Sequence, residues 1–119
     1  GGKALLSQLP DTEVERILSH EKLKKFTRFS CLNKQEYKAQ IQKTREEGIA
    51  FDMEEYIEGI RGFAVPLNLN RRGLMAAIWV VGLKDQIREE VIASYSKYLK
   101  GIAKKIEARF ALIREDTPK

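Results

Sequence analysis

Gly48-Ile49-Ala50-Phe51-Asp52-Met53-Glu54-Glu55, then Gly59-Ile60-Arg61-Gly62-Phe63-Ala64-Val65-Pro66, then Leu74-Met75-Ala76-Ala77-Ile78-Trp79-Val80-Val81-Gly82 decide the fold. In the first run Ile49, Phe51 and Met53 alternate with Ala50, Asp52 and Glu54, which is the period-two pattern of a strand. The second and third runs, 60–67 and 74–81, are apolar on both faces apart from Arg61. That pattern predicts an inner strand pair in a sheet covered on both sides. Asn68 to Gly73 supplies turn residues between them, so the two runs form a hairpin.

A four-residue loop at 69–72 would set Asn68 opposite Gly73, Ala64 opposite Ala77, Gly62 opposite Trp79 and Ile60 opposite Val81. Directly opposed residues of an antiparallel pair share a face. One face then carries Ile60, Gly62, Ala64, Met75, Ala77, Trp79 and Val81. The other carries Arg61, Phe63, Val65, Leu67, Leu74, Ile78 and Val80. The second face is bulky and suits helix packing. The first has small residues around a single indole, which leaves room for a ligand or for a helix. Trp79 reads either as the floor or wall of a pocket, where it can stack on a ligand, or as a core residue for which Gly62 makes space. Asp52 has the opposite parity to Ile49, Phe51 and Met53, so it reads either as a carboxylate facing that cavity or as a strand-end or turn acid.

Helices flank these strands. Residues 3–9 read as the end of a helix. After Pro10, Asp11 can cap a helix over 12–19 with Val14, Ile17 and Leu18 at helical spacing. Residues 20–32 are irregular, with Leu23, Phe26 and Phe29 expected as buried anchors. Asn33-Lys34-Gln35-Glu36 is a capping box for a helix carrying Tyr37, Ile41 and Thr44, and Gly48 ends it as a left-handed cap. From Arg88 to about Ile113, Val91, Ile92, Tyr95, Leu99, Ile102, Ile106, Phe110 and Ile113 form one apolar stripe. It is expected to cover one face of the sheet or to meet a partner helix, and Gly101 within it marks close helix packing.

At 119 residues the chain is one domain, or part of one. Its 43% hydrophobic and 33% charged residues exclude a disordered composition. The net charge of +5 comes from cations interleaved with acids, including Lys22-Lys24-Lys25-Arg28 and Lys97-Lys100-Lys104-Lys105. Solvated faces explain these better than the focused stripe that phosphates select. Cys31 is the single cysteine and cannot form an internal disulfide. No apolar run approaches the roughly 20 residues that span a membrane, and the start has no signal-peptide pattern, so the expected location is cytoplasmic with no membrane partner. His20 is the only histidine, so no metal set is assembled. Glu46-Glu47 and Glu54-Glu55 are sequence neighbours that point apart. Cys31 and His20 could pair as nucleophile and base, but nothing flanking them would orient a base; no acid–base dyad or glycine-rich phosphate loop occurs, and an enzyme is not expected.

Five pieces in order resemble the effector-binding domain of IclR-type bacterial transcriptional regulators. These are Gly2-Lys3-Ala4-Leu5-Leu6 with Leu9-Pro10; Leu23, Phe26 and Thr27; Arg45 through Glu55; Gly59 through Pro66; and Ala76 through Gly82. The resemblance covers residues 2 to about 110. It implies an α+β fold, GAF-like or profilin-like, with a curved antiparallel sheet and flanking helices. It further implies a single effector-binding domain over 1–119, truncated at its N-terminus so that several strands and the DNA-binding domain precede it. An upstream or neighbouring chain would then partner the exposed sheet edge. The implied function is sensing a small-molecule effector that modulates operator binding by a winged helix-turn-helix, within a homodimer or homotetramer. DNA would be touched only through the absent domain, and no cofactor or metal is needed. The alternative is a structural dimerisation module without a ligand. Carried onto this chain, the effector pocket comprises Asp52, Ile60, Gly62, Trp79 and Val81. Gly62 stands where the family commonly has cysteine, and Trp79 and Val81 where it commonly has serine. The loss of these polar groups points away from a small oxoacid and toward a bulkier, apolar or aromatic effector.

Overall fold

The computed structural model describes residues 2–20, 22–69 and 74–116. The elements run α1 (Gly2–Leu6), α2 (Asp11–His20), α3 (Lys34–Glu47), β1 (Ala50–Met53), β2 (Ile60–Leu67), β3 (Ala76–Leu83) and α4 (Glu89–Asp116). The strands form an antiparallel sheet in the order β1-β2-β3. The fold is α+β, with α4 on one face and α1 to α3 on the other side.

The α3 boundaries follow from local chemistry. The Asn33 side chain accepts a hydrogen bond from the Glu36 N–H at 3.1 Å, filling one of the donors that a helix start leaves open. Gly48 closes the helix with φ +72°, and its N–H donates to the Thr44 carbonyl at 2.7 Å. Lys100 of α4 donates to the Glu47 carbonyl at 2.6 Å, so a cation from another helix meets the negative end of α3. Arg45 organises the N-terminal helices. Its guanidinium donates to the carbonyls of Ser7 (3.1 Å) and Leu9 (2.6 Å) and pairs with Asp11 at the start of α2.

Leu67 pairs with Ala76, Ala64 with Trp79, Gly62 with Val81 and Ile60 with Leu83. The sequence-based register is therefore displaced by two residues, because β3 begins at Ala76 rather than Leu74 and extends to Leu83. The expected Asn68–Gly73 pairing and most of that turn lie outside the described residues. A two-residue slip preserves parity, so each residue keeps its face; a one-residue slip would have reversed every one. β1 adds Ala50 opposite Ala64 and Asp52 opposite Gly62.

The bulky face carries the main core. Phe63, Val65 and Leu67 of β2 pack with Ile49, Ile87, Leu99 and Ala103. Burying Phe63 alone contributes about 1.5–3 kcal/mol. A second cluster joins Val14 and Leu18 of α2 to Ile41 of α3. Two expectations are corrected. Among the described residues β2 is the inner strand and β3 is an edge, with Trp79, Val80, Val81 and Leu83 exposed along it. Phe26 and Phe29 are exposed rather than buried; Thr27 between them is the buried anchor, and Leu23 is half-buried. Beyond Ala103 the α4 stripe runs past the sheet, leaving Ile106, Leu112 and Ile113 exposed. Arg61, the charged exception on the bulky face, lies 3.7 Å from the Glu54 carboxylate and donates to the Ile87 carbonyl at 3.4 Å. It ties the β1–β2 turn to the start of α4.

Asn33→Ala removes the α3 cap and is expected to lower stability by about 1 kcal/mol, whereas Asn33→Asp leaves it nearly unchanged. Thermal or urea melts of the two variants check this.

Candidate functional site

The small-residue face of the sheet is only partly covered. Ala4 of α1 is fully buried against Ala50, Ala64 and Ala77, whose short side chains let helix and sheet approach closely. Two polar clasps hold α1 there. Lys3 donates from Nζ to the Phe51 carbonyl (3.1 Å) and to both oxygens of Glu55 (2.8 and 2.7 Å). Gln8 donates to the Ala76 carbonyl at 2.7 Å. The Lys3–Glu55 pair is half-sheltered, with 13% and 21% of the side chains exposed, which strengthens charge-assisted bonds relative to a surface pair.

The row left beyond α1 borders a cavity of ≈ 450 Å³, within the range of small-molecule sites. Asp52, Ile60, Gly62, Trp79 and Val81 all line it, so the five sequence candidates are brought together. Trp79 is 58% exposed and stands at the rim of an open hollow. It is not a core tryptophan for which Gly62 merely makes space. Gly62 is required by backbone proximity: a Cβ built there would lie 2.7 Å from the Val80 carbonyl oxygen. Asp52 fits both readings of it. Its Oδ1 accepts the Glu55 N–H at 2.9 Å, as a turn acid does, while the residue also lines the cavity.

The opposite wall escaped the sequence reading. It is built from the 22–31 segment, the β1–β2 turn and the first turn of α3, with Leu23, Phe26, Cys31, Tyr37, Tyr56 and Ile57 among its members. Two hydroxyls fix this wall. Thr27 Oγ1 donates to the Glu54 carbonyl and Ser30 Oγ to the Glu55 carbonyl, each at 2.6 Å. Glu54 adopts φ +66° and accepts the Gly59 N–H through its carboxylate at 2.9 Å, stabilising the tight turn. Phe26 and Tyr56 meet as a tilted ring pair, centroids 4.7 Å apart and planes at 59°. The signal for these residues lay in pairings across tens of positions, such as Lys3 with Glu55, which local spacing does not reveal.

Burial first, then the Glu55 carboxylate and Cys31, raise the Tyr37 phenol above its ordinary value. Burial likewise raises the Cys31 thiol, against the lowering effect of its contact with the Asn33 backbone, so the thiol is not activated as a nucleophile. Among the described residues no three His, Cys, Asp or Glu side chains gather as metal ligands. No helix among them is long and apolar enough to cross a membrane.

The family model described as bacterial transcriptional regulator IclR C-terminal matches residues 1–108. The transcriptional repressor IclR of Escherichia coli K12 is 26% identical over 113 residues, covering 95% of this chain and 41% of the relative. The crystal structure of the Thermotoga maritima IclR superposes with a TM-score of 0.83 at 31% identity, covering 92% of this chain and 44% of that one. The C-terminal domain of the E. coli regulator KdgR gives a TM-score of 0.81 at 28% identity, covering 92% and 66%. The chain spans about two fifths of the length of the curated relatives it matches. Those relatives are transcriptional regulators and repressors, not enzymes.

Gly62→Ala forces β2 and β3 apart at Val80, and a cost of about 1–3 kcal/mol in urea melts is expected from such overpacking. A pH series tests Tyr37. Because the phenol stays protonated in the fold to a higher pH than in the unfolded chain, its contribution is complete below about pH 10. It is lost as pH rises through the native value. Tyr37→Phe is therefore expected to flatten part of the alkaline fall in melting temperature.

Proposed function

The chain belongs to the IclR C-terminal family of bacterial transcriptional regulators, and from that membership we propose that it is an effector-binding domain whose ligand occupies the Trp79–Asp52 cavity. The observation that carries the reading is the open ≈ 450 Å³ hollow, bordered by an exposed indole on one side and a carboxylate on another. A structural module that only dimerises has no use for such a space. The ligand is a bulky apolar or aromatic molecule. It stacks on Trp79, lies over Gly62 and Ala64, and is anchored at Asp52, while Ile60 and Val81 supply apolar walls.

The domain acts by altering how an attached winged helix-turn-helix engages its operator, in a cytoplasmic homodimer or homotetramer. Association is supported by the exposed apolar residues of α4, Tyr98, Leu112 and Ile113 among them, and by the edge of β3, which no strand among the described residues pairs. Ligand binding changes DNA affinity only to the extent that the two conformations of the regulator bind it differently.

Titration of the full-length protein with aromatic compounds, following the fluorescence lost in Trp79→Phe, tests the reading. Saturable quenching by an aromatic ligand is expected, and Trp79→Ala is expected to weaken that ligand by about three- to tenfold, the value of one stacking contact. Tight binding of a small oxoacid with no response to any aromatic compound would reject it.

A further inference from the structure

We infer that the ligand of this cavity carries a cationic nitrogen: the site takes an arylalkylamine or similar apolar ammonium, with the aromatic part on Trp79 and the charge on Asp52. This rests on the reading of the cavity as an effector site and narrows its chemical class.

The charges around the hollow are unequal in availability. Lys3, the inner cation, already directs its amine at three acceptors, the Phe51 carbonyl and both Glu55 oxygens. An ammonium has three donors, so Lys3 has none left for an anionic guest. Glu55 is neutralised by the same contact. Lys24 also borders the cavity but is exposed to solvent, where screening weakens its pull. Asp52 is half-buried, and its Oδ1 accepts a backbone N–H; among the described residues no cation pairs with its charge. An anionic guest would therefore meet an unneutralised carboxylate across the floor with no inner cation to offset it. A cationic guest would complete the ion pair.

The walls agree with this assignment. Trp79, Phe26 and Tyr56 line the hollow, and aromatic faces attract ammonium groups while offering an anion nothing. The register sets the span. Asp52 lies opposite Gly62, which lies opposite Val81, and Trp79 is two positions along β3 from Val81. Strand spacing and rise put the Asp52 and Trp79 α-carbons about 12 Å apart. Both side chains line the cavity on this face of the sheet, and a ring joined to nitrogen by a two-carbon link spans between them. The small side of the sheet, Gly62 and Ala64, lies beneath that link.

Calorimetric titration of the full-length protein with 2-phenylethylamine, 2-phenylethanol and 3-phenylpropionate tests the inference, since the three share a ring and chain and differ in charge. The amine is expected to bind at least about tenfold tighter than either of the others, the scale of one charge-assisted contact. Asp52→Asn keeps the Oδ1 acceptor for the Glu55 N–H and removes only the charge, so it is expected to fold and to bring the amine down to the affinity of the alcohol. Equal or tighter binding of the acid overturns the inference while leaving the cavity reading intact, as does equal binding of alcohol and amine. An amine preference that survives in Asp52→Asn overturns the assignment of the charge to that residue. Binding of none of the three overturns both this inference and the effector-site reading beneath it.

Discussion

The central strand must be broad on one side and nearly bare on the other, and the rest of the molecule is arranged around that demand. β2 alternates Phe63, Val65 and Leu67 with Gly62, Ala64 and Pro66. The first set anchors the core beneath α4. The second cannot fill space, so whatever lies above it must either come very close or leave a void. α1 does the first with Ala4 against Ala50, Ala64 and Ala77. Past the end of that contact, no element among the described residues descends over Gly62, and the void remains as the cavity. Its floor exists because the strand there has no side chain to raise it.

Such a void has to be enclosed by groups that hold their positions without a large core of their own. Lys3 and Glu55 do this across more than fifty residues of sequence, joining α1 to the β1–β2 turn. The turn is itself fixed by Glu54, which bonds Gly59 and faces Arg61. Adjacent acidic residues thus serve opposite ends of one loop, Glu54 inward toward Arg61 and Glu55 toward Lys3. The polar framework, more than apolar packing, shapes the walls, which suits a region that has to remain open.

Much of this was legible in the sequence because period two is robust. Assigning Ile60, Gly62, Trp79 and Val81 to one face needed only the parity of two runs, and parity survived a register displaced by two positions. The caps at Asn33 and Gly48 were legible because each follows from one residue's own chemistry. The burial of the 22–31 segment was not. Phe26 and Phe29 have the composition of core residues, yet their loop is drawn in by the hydroxyls of Thr27 and Ser30, leaving both rings exposed. Likewise an apolar strand such as β3 does not announce whether it lies inside a sheet or at its margin. Lys3 and Tyr37 carry no local mark of facing the same hollow as Asp52.

The two hydroxyl latches carry a kinetic implication. Thr27 and Ser30 fasten an irregular segment that joins the core clusters through Leu23, which packs against Val14, Leu18 and Ile41. Detaching it breaks those bonds to the Glu54 and Glu55 carbonyls, the Phe26–Tyr56 ring contact and the Arg28–Glu58 ion pair, and leaves the sheet and α4 intact. Such a segment opens by a subglobal fluctuation far smaller than complete unfolding, and its amides exchange with solvent long before those of β2.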